Sequence, residues 1–124
     1  ANSRYQVQIH HLIYVEDLPE LSTQLERIFH VISEEILPKY PFGCEEFPSH
    51  ILHGLLSGWN AVGFTYDDIA YRLVYRVYDS PPPKRVFIIS FAEHDPAYER
   101  ATSRAATKKS RSRPSIKNRN KKKL

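Results

Sequence analysis

The sequence predicts an α+β fold: a small antiparallel-dominated sheet with an N-terminal helix or helical hairpin packed on one side, a short C-terminal helix, and a basic disordered tail. Three observations carry this. An alternating segment near the N-terminus precedes a helical stripe of apolar residues, two patterned strand segments lie between Tyr71 and Phe91, and the composition changes abruptly after Ala106. At 124 residues the chain suffices for one well-buried core and is short for two.

Tyr5-Gln6-Val7-Gln8-Ile9-His10 alternates apolar and polar residues with the period of a half-buried strand. Next, Leu18, Leu21, Leu25, Ile28, Phe29, Ile32 and Ile36 recur at spacings of three and four, which makes one apolar stripe on a helix. Asp17 is placed to cap that helix, Pro19 is tolerated in its first turn, and Pro38 stops it near Leu37. Residues 38–50 read as a loop. The glycine-punctuated run from Ile51 to Phe64 reads as a strand with a bulge or tight bend, and Asp67-Asp68 as a turn. Tyr71 to Tyr78 alternates strongly. After Pro81-Pro82-Pro83, the run Arg85 to Phe91 is apolar enough for a central strand covered on both faces. Asp95-Pro96 can open a short helix through Tyr98 and Arg104.

Charge divides the chain at the same place. Residues 101–124 hold ten Lys/Arg and no acid, whereas residues 1–100 hold eight Lys/Arg against fourteen Asp/Glu, giving a tail of +10 beside a body of −6. The expected division is a folded domain over 1–106 and a basic tail over 107–124, too poor in apolar residues to pack. That tail suits a polyanion, or serves only as a solubilising terminus. No apolar run reaches the ~18 residues of a membrane span, and Ala1 to Tyr5 shows no apolar signal core, so the expected location is cytoplasmic. Cys44 has no second cysteine to pair with. Its spacing to His50 and His53 fits no zinc pattern, and neither a metal nor another cofactor is expected.

The segments Ala70-Tyr71-Arg72-Leu73-Val74-Tyr75-Arg76-Val77, Val86-Phe87-Ile88-Ile89, His94 and Ala97-Tyr98-Glu99-Arg100-Ala101, in this order, resemble the last two strands and terminal segment of toxins of the RelE/ParE superfamily. The helix from Asp17 and the strand near Leu55–Gly63 fit the same order. The resemblance implies a cognate antitoxin protein as partner. In the RelE branch it also implies a metal-independent endoribonuclease, an mRNA interferase, that meets mRNA and ribosomal RNA on the ribosome. In the ParE branch the same fold poisons DNA gyrase, and a catalytically weak RelE-like binding protein is a further alternative.

Cleaving RNA without a metal requires removing the 2′-hydroxyl proton, stabilising charge on the phosphorane, and protonating the leaving 5′-oxygen. At the matching positions the resemblance nominates Arg72 for the scissile phosphate, His94 as acid or base, and Tyr98 for base stacking or a hydrogen bond near the cut bond. Each also has an ordinary reading: a solvated strand arginine, a surface histidine, and an aromatic docking the terminal helix. Arg76, Arg104, Lys108 and Lys109 are the cations expected to meet RNA. One departure stands out. RelE-like ribonucleases usually carry Lys or Arg on the preceding strand, where this chain has Trp59-Asn60-Ala61-Val62-Gly63 followed by an apparent insertion, Thr65 to Asp68. Either other cations hold the phosphate or the chain cuts slowly or not at all.

Overall fold

The computed structural model describes the backbone of residues 4–112 and the side chains of residues 4–106. Its strands are β1 (Gln6–Ile9), β2 (Ser49–Ile51), β3 (Asn60–Tyr66), β4 (Ile69–Tyr78) and β5 (Arg85–Glu93), and its main helices are α1 (Thr23–Val31) and α2 (His94–Ser112). They form one sheet in the order β1-β5-β4-β3-β2, antiparallel except for the parallel β1–β5 pair. The fold class is the expected α+β one.

The N-terminal helical layer is broken where a single helix was expected. A π-helical turn over Ile13–Asp17 leads into a 3-10 turn over Leu18–Glu20 that holds Pro19 near its start, and Leu21 is extended. Ser22 then caps α1, its Oγ accepting the Leu25 N–H at 3.2 Å. A second π turn, Ile32–Ile36, ends the layer. Asp17 is therefore not a cap; it is buried.

The run from Ile51 to Phe64 is not one strand either. Gly54 and Gly58 take positive φ, at 68° and 93°, and turn the chain back so that β2 and β3 pair as antiparallel neighbours. Asp67 and Asp68, both at positive φ, make the two-residue hairpin turn into β4. The bulge lies elsewhere: Val74 pairs with Ser90 and Tyr75 with Ile88, so Ile89 is the extra residue in β5. Its consequence is local. Ile89 packs in the α2-side core, and the Ser90 Oγ donates to the Ala97 carbonyl of α2 at 2.8 Å, while Phe91 returns to the other face.

Both faces of the sheet are covered. Ile13, Phe29, Ile32 and Leu37 pack on Val62, Leu73, Tyr75, Val86, Ile88 and Phe91. On the opposite face Ala97 and Ala101 of α2 lie against Ala61, Val74, Ile89 and Ala92, with Leu56, Trp59 and Phe87 beside them. Each fully buried Leu, Ile or Phe contributes about 1.5–3 kcal/mol. The terminal helix runs to Ser112, longer than the short helix expected.

The strand β1 pairs with β5 only from Arg85 to Ile88. Past that point two side chains do what a strand would. The Phe91 N–H donates to Asp17 Oδ2 at 2.9 Å, and Arg104 Nη1 donates to the Ile89 carbonyl at 2.9 Å. Arg104 also forks onto Asp17 at 2.8 and 2.9 Å and reaches Glu16 at 2.9 Å, while Arg100 bonds Asp17 and Glu20, each at 2.8 Å. Burial works against the Arg104 charge, but the hydrogen bonds and negative charges of Asp17 and Glu16 outweigh it and raise its pKa. This cluster ties the N-terminal layer to α2. Among the described residues no helix is long and apolar enough to cross a membrane.

Candidate active site

On the α2 side of the sheet, register decides which side chains share a face. Arg72 of β4 pairs with Gly63 of β3 and Ala92 of β5, and His50 of β2 pairs with Ala61 of β3, two residues from Gly63. Arg72 and His50 therefore flank the β3 pair Ala61 and Gly63. Arg72, His50 and Gly63, with Pro48, Phe64, Thr65 and Ala70, line an open cleft of about 330 Å³.

Gly63 is what lets the cleft exist in this form. A Cβ built there would stand 2.8 Å from Arg72 Nη1 and 2.9 Å from its Cζ, so the guanidinium lies flat across a position only glycine leaves open. Arg72 Nη1 donates to the neighbouring Tyr71 carbonyl at 2.9 Å, and its Nε is buried with no hydrogen-bond partner among the described residues. No carboxylate pairs with Arg72 among the described residues, leaving its charge available to an anion.

His94 and Tyr98 stand at the same end of the sheet, since Glu93 pairs with Tyr71 and His94 begins α2 directly after it. Their rings meet edge to face, with centroids 4.9 Å apart. His94 is half exposed, and its Nδ1 lies 2.7 Å from Asp95 Oδ1, which fixes the ring. Tyr98 packs at the margin of the α2-side core, so its docking reading holds as geometry. The structure brings His94 and Tyr98 together. Arg72 is hydrogen-bonded to neither.

Arg76 lies four residues along β4 from Arg72, about 13 Å at the usual strand rise. Its guanidinium stacks over Trp59 at 5.6 Å and Tyr78 at 5.5 Å, and Arg85 covers Tyr78 at 4.6 Å. This is a ladder of cations and rings. Arg104, expected to meet RNA, is corrected by its burial: it is 4% exposed and bound to Asp17, Glu16 and the β5 backbone, so it holds the fold together. Lys108 and Lys109 have side chains outside the described residues, and the tail from residue 113 lies outside them altogether. No group of three or more His, Cys, Asp or Glu arranged for a metal occurs among the described residues.

The sequence pattern missed Gly63 and His50. Gly63 read as the place where cations were absent, and His50 only as one of three residues, with Cys44 and His53, whose spacing fits no zinc pattern. Neither residue carries a local signal joining it to Arg72; the antiparallel register alone does.

No protein-family model and no curated protein matches the chain. Among solved structures, the fold is similar to that of the E. coli toxin RelE, an arginine-to-alanine double mutant in the free state. The TM-score is 0.56 at 19% identity, covering 82% of this chain and 97% of that one. It is also similar to the YoeB/ParE toxin from Agrobacterium tumefaciens, with a TM-score of 0.47 at 20% identity over 72% of this chain and 98% of that one.

Proposed function

We propose that the chain, which carries the RelE fold, is the toxin of a type II toxin–antitoxin system. In this reading it is a metal-independent endoribonuclease that cuts messenger RNA at the ribosome and is neutralised by a cognate antitoxin protein. The observation that carries the reading is Arg72, a half-buried cation with no carboxylate partner among the described residues, laid across Gly63 in an open cleft.

A permanently charged fork in that position suits a phosphodiester, whose non-bridging oxygens take two N–H groups at once. Its value rises as the phosphorane forms, because negative charge grows where the guanidinium already stands. His94, held by Asp95 with its other ring nitrogen unpartnered among the described residues, is suited to protonate the leaving 5′-oxygen. The Tyr98 ring beside it offers a face or edge to a base. Arg76 between Trp59 and Tyr78 offers charge and aromatic surface to the strand on either side of the cut.

Inducing the protein and mapping message ends by primer extension tests this. Growth arrest with new 5′ ends inside translated messages is expected, and Arg72→Ala should lower single-turnover cleavage by about 10²–10³-fold. Arrest with intact messages and DNA-damage signalling would replace this reading with a gyrase-directed one.

A further inference from the structure

We propose that His50, on β2, accepts the 2′-hydroxyl proton in the Arg72 cleft. This inference rests on the ribonuclease reading above and adds a catalytic residue that neither the motif order nor the resemblance nominates.

The reaction needs a proton acceptor beside the phosphate that Arg72 would hold. Among the residues lining the cleft, His50 is the side chain whose chemistry lets it take up and return a proton. Arg72 stays charged, and the others offer apolar surface or a hydroxyl. The preceding strand, β3, where related ribonucleases would carry cations, contributes Ala61 and Gly63 to this face and so puts nothing between the two groups. Two strand spacings separate β2 from β4, about 10 Å between backbones. Arg72 reaches inward from one side over Gly63 and His50, offset by two residues along the strands, faces the same cleft of about 330 Å³ from the other. His50 is exposed, and its side chain has no hydrogen bond or ion pair among the described residues, so no structural partner competes for its ring.

The step balances without a co-reactant. The 2′-O–H bond breaks and its proton passes to a His50 ring nitrogen. The 2′-oxygen bonds to phosphorus, the P–O5′ bond breaks, and the 5′-oxygen takes a proton from His94 or water. The products are a 2′,3′-cyclic phosphate and a 5′-hydroxyl. Placing the acceptor on β2 compensates for the cations that β3 lacks, because the phosphate needs one fixed positive charge and one mobile proton site.

The test is single-turnover cleavage of a message held in ribosomal translation complexes, by the wild-type chain and by His50→Gln and His50→Ala. Binding of a 2′-O-methylated message, which cannot react, is measured alongside. Both variants should fold normally, since His50 is exposed on a three-residue edge strand. Expected are a rate loss of about 10²–10⁴-fold, unchanged binding, and partial rescue of His50→Ala by added imidazole. Wild-type rates in both variants would overturn the role of His50 while leaving the ribonuclease reading intact, and so would a loss of binding that accounts for the whole rate loss. No cleavage by the wild-type chain would overturn both.

Discussion

Asp17→Ala removes the carboxylate that accepts hydrogen bonds from the Phe91 N–H, Arg100 and both terminal nitrogens of Arg104. Arg104, 4% exposed, is left with Glu16, whose side chain is half in solvent, as its remaining carboxylate. Breaking a buried pair from one side costs about 3–5 kcal/mol because the survivor's charge stays in the interior. The orphaned Phe91 N–H pushes the cost toward the upper end. For a domain near 100 residues, 1 kcal/mol is roughly 4 °C of melting temperature, so Tm should fall by about 12–20 °C. The measurement is thermal and urea unfolding of Asp17→Ala, Arg104→Leu and the double variant. The double variant should be more stable than Asp17→Ala alone, since no unpaired charge remains at the position of Arg104. The reasoning fails if Asp17→Ala costs less than about 1 kcal/mol, the size of an exposed pair, or if the two single losses simply add.

Gly63→Ala should leave stability unchanged or raise it by about 0.5–1 kcal/mol, as expected for replacing a strand glycine, yet weaken RNA binding about tenfold by displacing the Arg72 guanidinium; equal binding in a filter assay would contradict the placement. Arg76→Ala should weaken RNA binding alike for all sequences and reduce the slope of log K against log salt by about one, read from titrations at several salt concentrations. Burial pushes the Tyr75 phenol up to about 12, with its 2.6 Å hydrogen bond to Ser49 working the other way. Its folded value thus lies above the unfolded 10.0, so its contribution is complete below pH 10 and is lost as pH rises toward 12. That contribution is on the order of 2–3 kcal/mol. Tyr75→Phe should flatten stability across that window in alkaline unfolding curves.

Strands β4 and β5 were legible because alternation and apolar runs are local properties of the chain. The N-terminal stripe was legible as helix, but its break was not: Leu21 keeps the apolar spacing while its backbone is extended. Asp17 sits where a cap would sit, and its true partners, Arg100 and Arg104, are more than eighty residues away. The β5 bulge was hidden because Val86 to Ile89 are apolar on both faces, so adding a residue disturbs no visible pattern. His50 and Arg72 were both visible as residue types, but only strand register puts them on one face, and register is not written in either segment alone.

The Asp17–Arg104 pair also closes an edge. Beyond Ile88 the outer side of β5 would present unpaired backbone groups on an apolar strand, the arrangement that recruits another chain's strand and seeds aggregation. Two opposite charges, fixed to different ends of the sequence, occupy those groups instead. Breaking the pair therefore exposes a sticky template at the moment it destabilises the domain, so damaged copies of this protein should precipitate before they unfold completely.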